Sequence, residues 1–474
     1  FPPCLDVAQS ARAQNATRQA LDNLVEQDKR TGAIVPWLAT GWEYRDGGRE
    51  LVLSLRHDVT FSNGQAFDAE AVKENFDTLA RLSKEGLALQ ARGYLAGYEG
   101  STVVDRYMVV LRFSYPKAGF LQALSEKTLS PLASETLRKT PQERCAGALI
   151  GTGPFVISRV VQNERIELVR RPDYAWASPN ANHLGPAYLE KVTFLTVPEA
   201  SVRIGSLLSG QVDAIEDVPT DAFPRLKAAR IAIIARTAGG VGMTLFPNIA
   251  HPILADSRVR RALVIGIDRD EVLTGLYTSY DHVATSVLSS TVPGYVDLSD
   301  KLAYRPEMAR RLLEEAGWKL GADGIRVRDG QRLSIELIWS YAGFTPDLQL
   351  IREQLAKIGV ELRLGLRTDA ELGGFIRNGQ YDLRLSDLTR PDPDVLLPVF
   401  YSPDSAYIKW PQEDLDALLA EQSRTLDSTQ RQVLVRRIQE KILDEGYAIP
   451  LRESSTILAL SLIHISEPTR LALL

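Results

Sequence analysis

The sequence predicts an α/β protein, because strand-like and helix-like segments alternate along most of its length. Residues 332–339 and 360–364 have the apolar patterns of strands, and residues 347–358 between them form a predicted helix. Residues 306–316 form an amphipathic helix with proline in its first turn and Gly317 just past its end. With 474 residues, the chain is long enough for two or three domains of this class.

Residues 41–76 are the most distinctive stretch of the chain. After a Gly-Gly turn, Leu51, Leu53 and Leu55 alternate with their neighbours as in a half-buried strand. Asp68 stands where a helix N-cap belongs, and apolar residues then recur along one helical face. The stretch therefore predicts a strand, a turn and a helix, and none of its residues has the character of a catalyst.

The remaining predicted elements continue this alternation. They are helices at residues 17–24, 202–208 and 256–277 and strands at residues 107–113, 166–169, 192–197 and 381–385. Gly210 follows the second of these helices, where glycine can adopt the left-handed C-terminal cap. Asp268 is the predicted N-cap of a second helix within the third of these segments.

Composition and charge exclude several classes of protein. The formal net charge of −5 gives no general basic surface, so nucleic-acid binding is not expected. No apolar run approaches the roughly 20 residues that a membrane-spanning helix needs. Cys4 and Cys145 are too few for a disulfide framework, and they give no indication of the redox compartment.

The sequence contains no pattern typical of an enzyme or a metal site. None of the five histidines pairs with another at the i, i+4 spacing of a helical metal site, and there is no Cys-x-x-Cys. There is no Gly-x-Ser-x-Gly elbow, and Gly151-x-Gly153 lacks the third glycine of a dinucleotide site. We therefore expect no catalytic residue, no metal bound directly by the protein and no cofactor.

Three motifs resemble family 5 (cluster C) of the solute-binding proteins. They are residues 41–76, the RRPDY sequence at residues 170–174 and the GQVDAI sequence at residues 210–215, and matching segments extend over about residues 17–459. Members of that family deliver peptides, nickel complexes and opine-type metallophores to ABC importers. The resemblance implies a type II periplasmic-binding-protein fold, with two lobes around a cleft, an extra small domain and closure by a hinge.

The resemblance also implies the extent of each domain. Lobe I is expected to comprise residues 1–33, 151–243 and 449–459, the extra small domain residues 34–150, and lobe II residues 244–448.

Both ends of the sequence differ from the family. Residues 460–470 (LSLIHISEPTR) look like the translation of a sequencing-library adapter, so residues 460–474 are expected to be a non-native tail. The alternative is a natural apolar strand. Residues 1–6 resemble the segment that follows the family's first strand, so that strand and a signal peptide are expected to precede them.

Residues 381–397 contain the segment most suggestive of ligand binding. Thr389 and Arg390 precede a Pro-Asp-Pro sequence, in which each proline fixes its φ angle and restricts the preceding residue. Such a stiff loop suits an arginine that grips a ligand carboxylate by two hydrogen bonds. In peptide-binding relatives, the position of Thr389 usually holds an aspartate for the peptide's α-amine, so this departure favours a carboxylate-rich ligand. The alternative is that Arg390 pairs with Asp392 or Asp387 and only stiffens the loop.

The resemblance points to five further residues for ligand contact. Trp339 and Tyr341 follow a predicted strand, and their rings can flank a ligand, with packing in the core as the alternative. Tyr407 and Trp410 precede a predicted helix, and the alternative for Trp410 is to staple that helix to its neighbour. Lys127 lies where nickel- and opine-binding relatives tend to carry an arginine, with a solvated lysine as the alternative.

The resemblance predicts a binding protein and not an enzyme. Its expected function is to capture an opine-type metallophore or chelated nickel for import, in the periplasm or anchored outside the membrane. A di- or oligopeptide is the alternative ligand, and a periplasmic sensor or chaperone on the same fold is the alternative from another class. The expected partners are the small ligand and an ABC permease, and the chain is expected to be a monomer.

Overall fold

The computed structural model describes residues 4–10, 14–28, 31–277, 280–403 and 412–461. Its contacts group the chain into two units. The first unit comprises Phe1–Asp213, Arg424–Leu426 and Ser461–Leu474, and the second comprises Ala214–Ser423 and Asp427–Leu460. The lobe boundaries that the resemblance implies stay a prediction, because grouping by contacts does not identify the parts that move in a hinge.

The first unit is built from short helices and antiparallel strands. Its helices are α1 (Gln14–Thr17), α2 (Ala69–Lys84), α3 (Leu89–Arg92), α4 (Phe120–Ala123), α5 (Ser134–Leu137), α6 (Pro141–Cys145) and α7 (Ala200–Leu208). Its strands are β1 (Val25–Gln27), β2 (Ile34–Pro36), β3 (Ala39–Arg45), β4 (Glu50–Leu55), β5 (Tyr98–Asp105), β6 (Met108–Phe113), β7 (Phe155–Val161), β8 (Arg165–Arg170) and β9 (Lys191–Leu195).

Helix α2 covers a four-stranded antiparallel sheet of order β3-β4-β6-β5. The helix begins where the sequence predicts, because the Asp68 carboxylate accepts a hydrogen bond from the Ala71 N–H at 3.1 Å. Its apolar face, including Val72 and Phe76, is fully buried. The three leucines of β4 are buried in this core as predicted, but Val52 between two of them is also buried, so the strand is not half-buried in strict alternation.

The second unit contains the larger mixed sheet. Its helices are α8 (Phe223–Ala228), α9 (Ser257–Ile265), α10 (Arg269–Leu276), α11 (Ser299–Leu302), α12 (Pro306–Glu315), α13 (Thr345–Ala356), α14 (Asp369–Asn378), α15 (Leu396–Phe400), α16 (Glu413–Arg424) and α17 (Ser428–Asp444). Its strands are β10 (Ala214–Glu216), β11 (Ala232–Thr237), β12 (Gly240–Pro247), β13 (Lys319–Leu320), β14 (Arg326–Arg328), β15 (Gln331–Arg332), β16 (Ser334–Trp339), β17 (Glu361–Leu366), β18 (Leu383–Thr389), β19 (Ile449–Arg452) and β20 (Ser455–Leu460).

Five strands of the second unit form one sheet of order β17-β16-β18-β12-β19. Strand β16 runs parallel to both β17 and β18, whereas β12 runs antiparallel to β18 and β19. Strand β12 is buried along its whole length, and α9, α12 and α13 contribute apolar residues to the core. The predicted cap at Asp268 is confirmed, because its carboxylate accepts from the Glu271 N–H at 3.0 Å.

One predicted helix is wrong. Residues 17–24 were expected to be helical, but α1 ends at Thr17. The polar side chains that follow form hydrogen bonds with distant parts of the chain. The Asp22 carboxylate accepts hydrogen bonds from Tyr174 and Trp176, and Asn23 donates to the Ser125 carbonyl. Short polar side chains that bind distant groups compete with helix formation in this way.

The two cysteines also differ from expectation. The sequence was expected to lack a disulfide framework, but Cys4 and Cys145 form a single disulfide across a sequence separation of 141 residues. Count and spacing alone could not pair them, because the tertiary fold brings them together. The Leu5 N–H also donates to the Cys145 carbonyl at 2.9 Å.

Two further observations concern the chain as a whole. In the part of the chain that the structure describes, no helix combines the length and the apolar character needed to cross a membrane. Leu460, placed by the sequence in the adapter-like tail, is buried in β20 and pairs with Ala214 and Ala232. The fold therefore includes this residue whatever its origin.

Candidate functional site

Four of the predicted ligand residues, Trp339, Tyr341, Thr389 and Arg390, lie at one edge of the main sheet of the second unit. Strands β16 and β18 are parallel neighbours, with Leu337 opposite Leu383, so their ends at Trp339 and Thr389 lie on the same side. Strand β19 ends at this edge with Arg452. We call it the carboxyl edge, because ligands of open α/β sheets bind beyond the carboxyl ends of parallel strands.

The loop that carries Arg390 lies tightly against the start of β12. The Arg390 N–H donates to the Gly239 carbonyl at 2.9 Å. Gly240 has a φ of +135°, and a Cβ atom there would lie 2.1 Å from the Leu388 carbonyl oxygen. Only glycine permits so close an approach with that backbone, so the position of the loop is set by the strand beneath it.

Asp392 anchors the loop from its other side. Its carboxylate accepts from the Asp394 N–H at 2.7 Å and so caps the short 3₁₀ turn Pro393–Val395. Both carboxylate oxygens also bind the Arg431 guanidinium of α17, with Nη1 to Oδ2 at 2.9 Å. The two side chains are only 16% and 13% exposed. A two-pronged, largely buried ion pair therefore holds the Pro-Asp-Pro segment in place.

The two acids that were considered as internal partners of Arg390 each bind another side chain. Asp392 is bound by Arg431, and the Asp387 carboxylate accepts from Ser454 Oγ at 3.1 Å. Arg390 is half-buried and Thr389 is exposed at the end of β18. The loop is stiffened by the Asp392–Arg431 pair and by the close packing at Gly240, and the pairing of Arg390 with Asp392 or Asp387 stays an alternative.

The two predicted aromatic residues, Trp339 at the end of β16 and Tyr341 just after it, have different environments. Trp339 is 3% exposed and packs in the core of the second unit, which is the alternative that the sequence left open. Tyr341 is 63% exposed, and its ring lies 5.0 Å from that of Phe344. Of the two, Tyr341 therefore offers its ring to solvent at the carboxyl edge.

Sequence reasoning missed a second charged group at this edge. The Arg452 guanidinium lies 4.5 Å from the centre of the Tyr277 ring and 5.7 Å from that of Phe344. The Tyr277 hydroxyl donates to Asp347, whose pKa is raised by burial. These residues come from three distant segments, and no sequence spacing links them.

Lys127 is not the solvated lysine that was the alternative. It is half-buried in the 3₁₀ turn Lys127–Leu129, which follows α4 in the first unit. Burial, with the positive charge of Arg18 as a second cause, lowers the pKa of Lys127 to about 7. An anion placed beside this group would favour its charged form.

The other predicted contacts cannot be placed. Tyr407 and Trp410 lie outside the described residues. Among the residues described, no three or more histidine, cysteine or acidic side chains are grouped so as to hold a metal ion.

The mixed sheet places an anchored arginine loop at the carboxyl ends of parallel strands, where ligands of open α/β sheets bind. Residues 33–407 match the family model described as bacterial extracellular solute-binding proteins, family 5. The chain belongs to this family, which confirms the resemblance found in its motifs.

Alignments with known relatives cover nearly the whole chain. The nickel-binding periplasmic protein of Escherichia coli strain K12 is 27% identical over 89% of this chain and 81% of its own length. The probable di/tripeptide-binding protein 5 of Pseudomonas aeruginosa is 26% identical over 95% of this chain and 88% of its own.

A solved structure confirms the predicted fold class. NikA from Brucella suis, in complex with Fe(III)-EDTA, superposes with a TM-score of 0.83 and 24% identity over 98% of this chain and 94% of its own. The α/β two-lobe fold predicted from the sequence is therefore correct.

Proposed function

We propose that this protein is the solute-binding component of an ABC importer and that it captures a carboxylate-rich small ligand. Arg390 is the proposed anchor for one ligand carboxylate. The observation that carries the proposal is the fixed Pro-Asp-Pro loop, which Asp392 and Arg431 hold in a single position. A guanidinium on a fixed loop loses less entropy on binding and can donate two parallel hydrogen bonds to a carboxylate.

The ligand class follows from chemistry at Thr389. A threonine hydroxyl cannot neutralise the α-amine of a peptide, whereas the adjacent arginine favours an acid. An opine-type metallophore or a nickel chelate has several carboxylates, and a chelator would hold the metal without ligands from the protein. The name of the Escherichia coli relative as a nickel-binding protein supports this class.

A di- or oligopeptide is the second candidate. The Pseudomonas aeruginosa relative, named as a probable di/tripeptide-binding protein, is nearly as similar to this chain as the nickel-binding one. Arg390 would then bind the C-terminal carboxylate, and the α-amine would need a partner other than Thr389.

The remaining parts of the function follow from the family. The protein would act outside the cytoplasm, in the periplasm or anchored to the membrane surface, and would present its ligand to a membrane permease. It would bind as a monomer, without catalysis and without nucleic acid. Tyr341 and Lys127 would assist ligand binding.

Calorimetry with nickel, cobalt and zinc, each chelated by histidine or by an opine, tests the proposal. We expect at least one chelate to bind more tightly than any di- or tripeptide. Replacing Arg390 by glutamine should weaken that binding about tenfold or more, since hydrogen bonds between charged groups contribute about 1.5–3 kcal/mol. Arg311→Gln, an exposed position on α12, is the matched control. If peptides bind at micromolar concentration and no chelate gives heat, the proposed ligand class is wrong.

A further inference from the structure

A cavity of about 380 Å³ lies in the second unit at the opposite side of the main sheet from the carboxyl edge. It opens near the first residues of β16 and β18, at Ser334 and Asp382, which we call the amino edge. Its volume falls within the roughly 300–1,000 Å³ of small-molecule sites. None of the predicted ligand residues that the structure describes lines it.

The walls of this cavity are tied together by Asn248. Its side-chain amide donates to the Gly379 carbonyl at 3.1 Å and to the Tyr381 carbonyl at 2.9 Å. The carbonyl of Asn248 accepts from the His251 N–H at 3.0 Å. The segments that carry His251 and Asp382 are therefore held in one arrangement, and the cavity does not need to be formed by a ligand.

The acids that line the cavity already have partners. Glu336 accepts from Arg367 Nη2 at 2.7 Å. Asp382 accepts from the Glu336 N–H at 2.7 Å and lies 3.3 Å from His251 Nε2. Arg332, which also lines the cavity, is bound by Asp323 and Glu361.

Other polar side chains that line the cavity are unpaired within the described residues. Arg363 makes no ion pair or hydrogen bond there, because its cross-strand neighbour Glu336 is bound by Arg367 and Glu361 on its own strand is bound by Arg332. The side-chain amide of Gln380 is likewise unpaired, and His251 Nδ1 is buried without a hydrogen-bond partner. An unpaired guanidinium and an unpaired amide, both on exposed residues, thus line one preformed space.

We propose that this cavity is a second binding site, separate from the transport site, and that it takes a small organic carboxylate. The planar guanidinium of Arg363 matches the two oxygens of a carboxylate. The Gln380 amide lines the same space and can donate a hydrogen bond to a further oxygen of the ligand. Since the site lies at the amino edge and shares no residue with the Arg390 loop, it does not depend on the proposed transport function.

Titration of malonate into the Arg390→Gln variant tests the site, because this background weakens the transport site. Calorimetry at low salt should show one binding event with a Kd at or below about 1 mM. Adding Arg363→Gln should weaken it about tenfold or more, because one charge-assisted hydrogen-bond pair is lost. Arg352→Gln, at an exposed position of α13 that does not line the cavity, should change the Kd less than about twofold.

Three results would overturn the proposal. The first is the absence of any malonate binding, and the second is an equal loss of affinity in the Arg363 and Arg352 variants. The third is equally tight binding of inorganic phosphate, which would indicate general anion attraction and not a carboxylate site. A crystal structure with malonate bound to Arg363 Nη atoms would support it directly.

Discussion

Asp22 is a fully buried acid whose hydrogen-bond donors come from a segment about 150 residues away in sequence. Tyr174 Oη and Trp176 Nε1 donate to it at 3.2 and 3.0 Å. Burial nevertheless outweighs these bonds and raises the pKa of Asp22 to about 7. Nothing in the sequence around Asp22 indicates this environment, because the donors arrive only when the chain folds.

The raised pKa predicts a pH dependence of stability. The unfolded carboxyl titrates near its model value of 3.8, so between about pH 4 and pH 7 the folded protein binds the additional proton. The stabilisation that protonated Asp22 provides is therefore fully present below about pH 4. It is lost as the pH rises to about 7, which lowers the free energy of unfolding by about 4 kcal/mol. Asp22→Asn should remove this slope in denaturant unfolding, whereas Asp300→Asn, an exposed control, should keep it. Parallel slopes in the wild type and Asp22→Asn would contradict the assignment.

Lys127 predicts a proton linked to ligand binding. If a ligand carboxylate lies beside it, the charged ammonium is favoured and the pKa rises from about 7. At about pH 8, binding should then take up part of a proton, seen as a binding enthalpy that varies with the ionisation enthalpy of the buffer. Lys127→Arg should abolish this dependence, because arginine stays charged. Tight binding without proton uptake in the wild type would exclude Lys127 from ligand contact.

At the scale of single elements, local chemistry predicted much of the structure. Asp68 and Asp268 cap the helices that their positions indicated, and Gly210, with a φ of +74°, adopts the left-handed conformation after α7. These features depend on residues within one turn. The ion pair between Asp392 and Arg431 was not predictable in the same way, because the two residues are 39 positions apart in the sequence.

The Asp392–Arg431 pair should stabilise the second unit. Asp392→Ala removes the acid that pairs with the largely buried Arg431 charge, and breaking such a pair typically costs about 3–5 kcal/mol of unfolding free energy. The matched control is Glu440→Ala, which removes the acid from an exposed pair with Arg436 on the same helix. That change should cost less than about 0.5 kcal/mol. If denaturant unfolding shows equal losses of stability in the two variants, the Asp392–Arg431 pair stabilises the unit no more than an exposed ion pair does.

At the scale of the whole molecule, the family was predictable and the arrangement of the site was not. Motifs such as residues 41–76 and 210–215 are local, so they identify the family from sequence alone. The carboxyl edge joins the ends of β16, β18 and β19, which only the sheet order brings together. The pairing of Cys4 with Cys145 is non-local for the same reason.

The disulfide should stabilise the first unit through its long loop. It joins residues 141 positions apart. Closing a loop of more than about 100 residues lowers the entropy of the unfolded chain and stabilises the folded state by up to about 5 kcal/mol. Removing such native disulfides typically costs about 2–5 kcal/mol. Replacing both cysteines by serine should therefore lower the stability of this unit. Hydrogen exchange of β4 and α2 would measure the change, and a reductant should affect the wild type but not the serine variant. Unchanged exchange in both cases would contradict the pairing.

The most direct test of the account is mass spectrometry of the small molecules released when the purified protein is denatured. The account predicts a small anion with several carboxylates, with or without a bound metal ion, in close to one copy per chain. It also predicts that the Arg390→Gln variant releases much less of it. Release of di- or tripeptides, unchanged by that substitution, would contradict the claim that an arginine on a fixed loop selects a carboxylate-rich ligand.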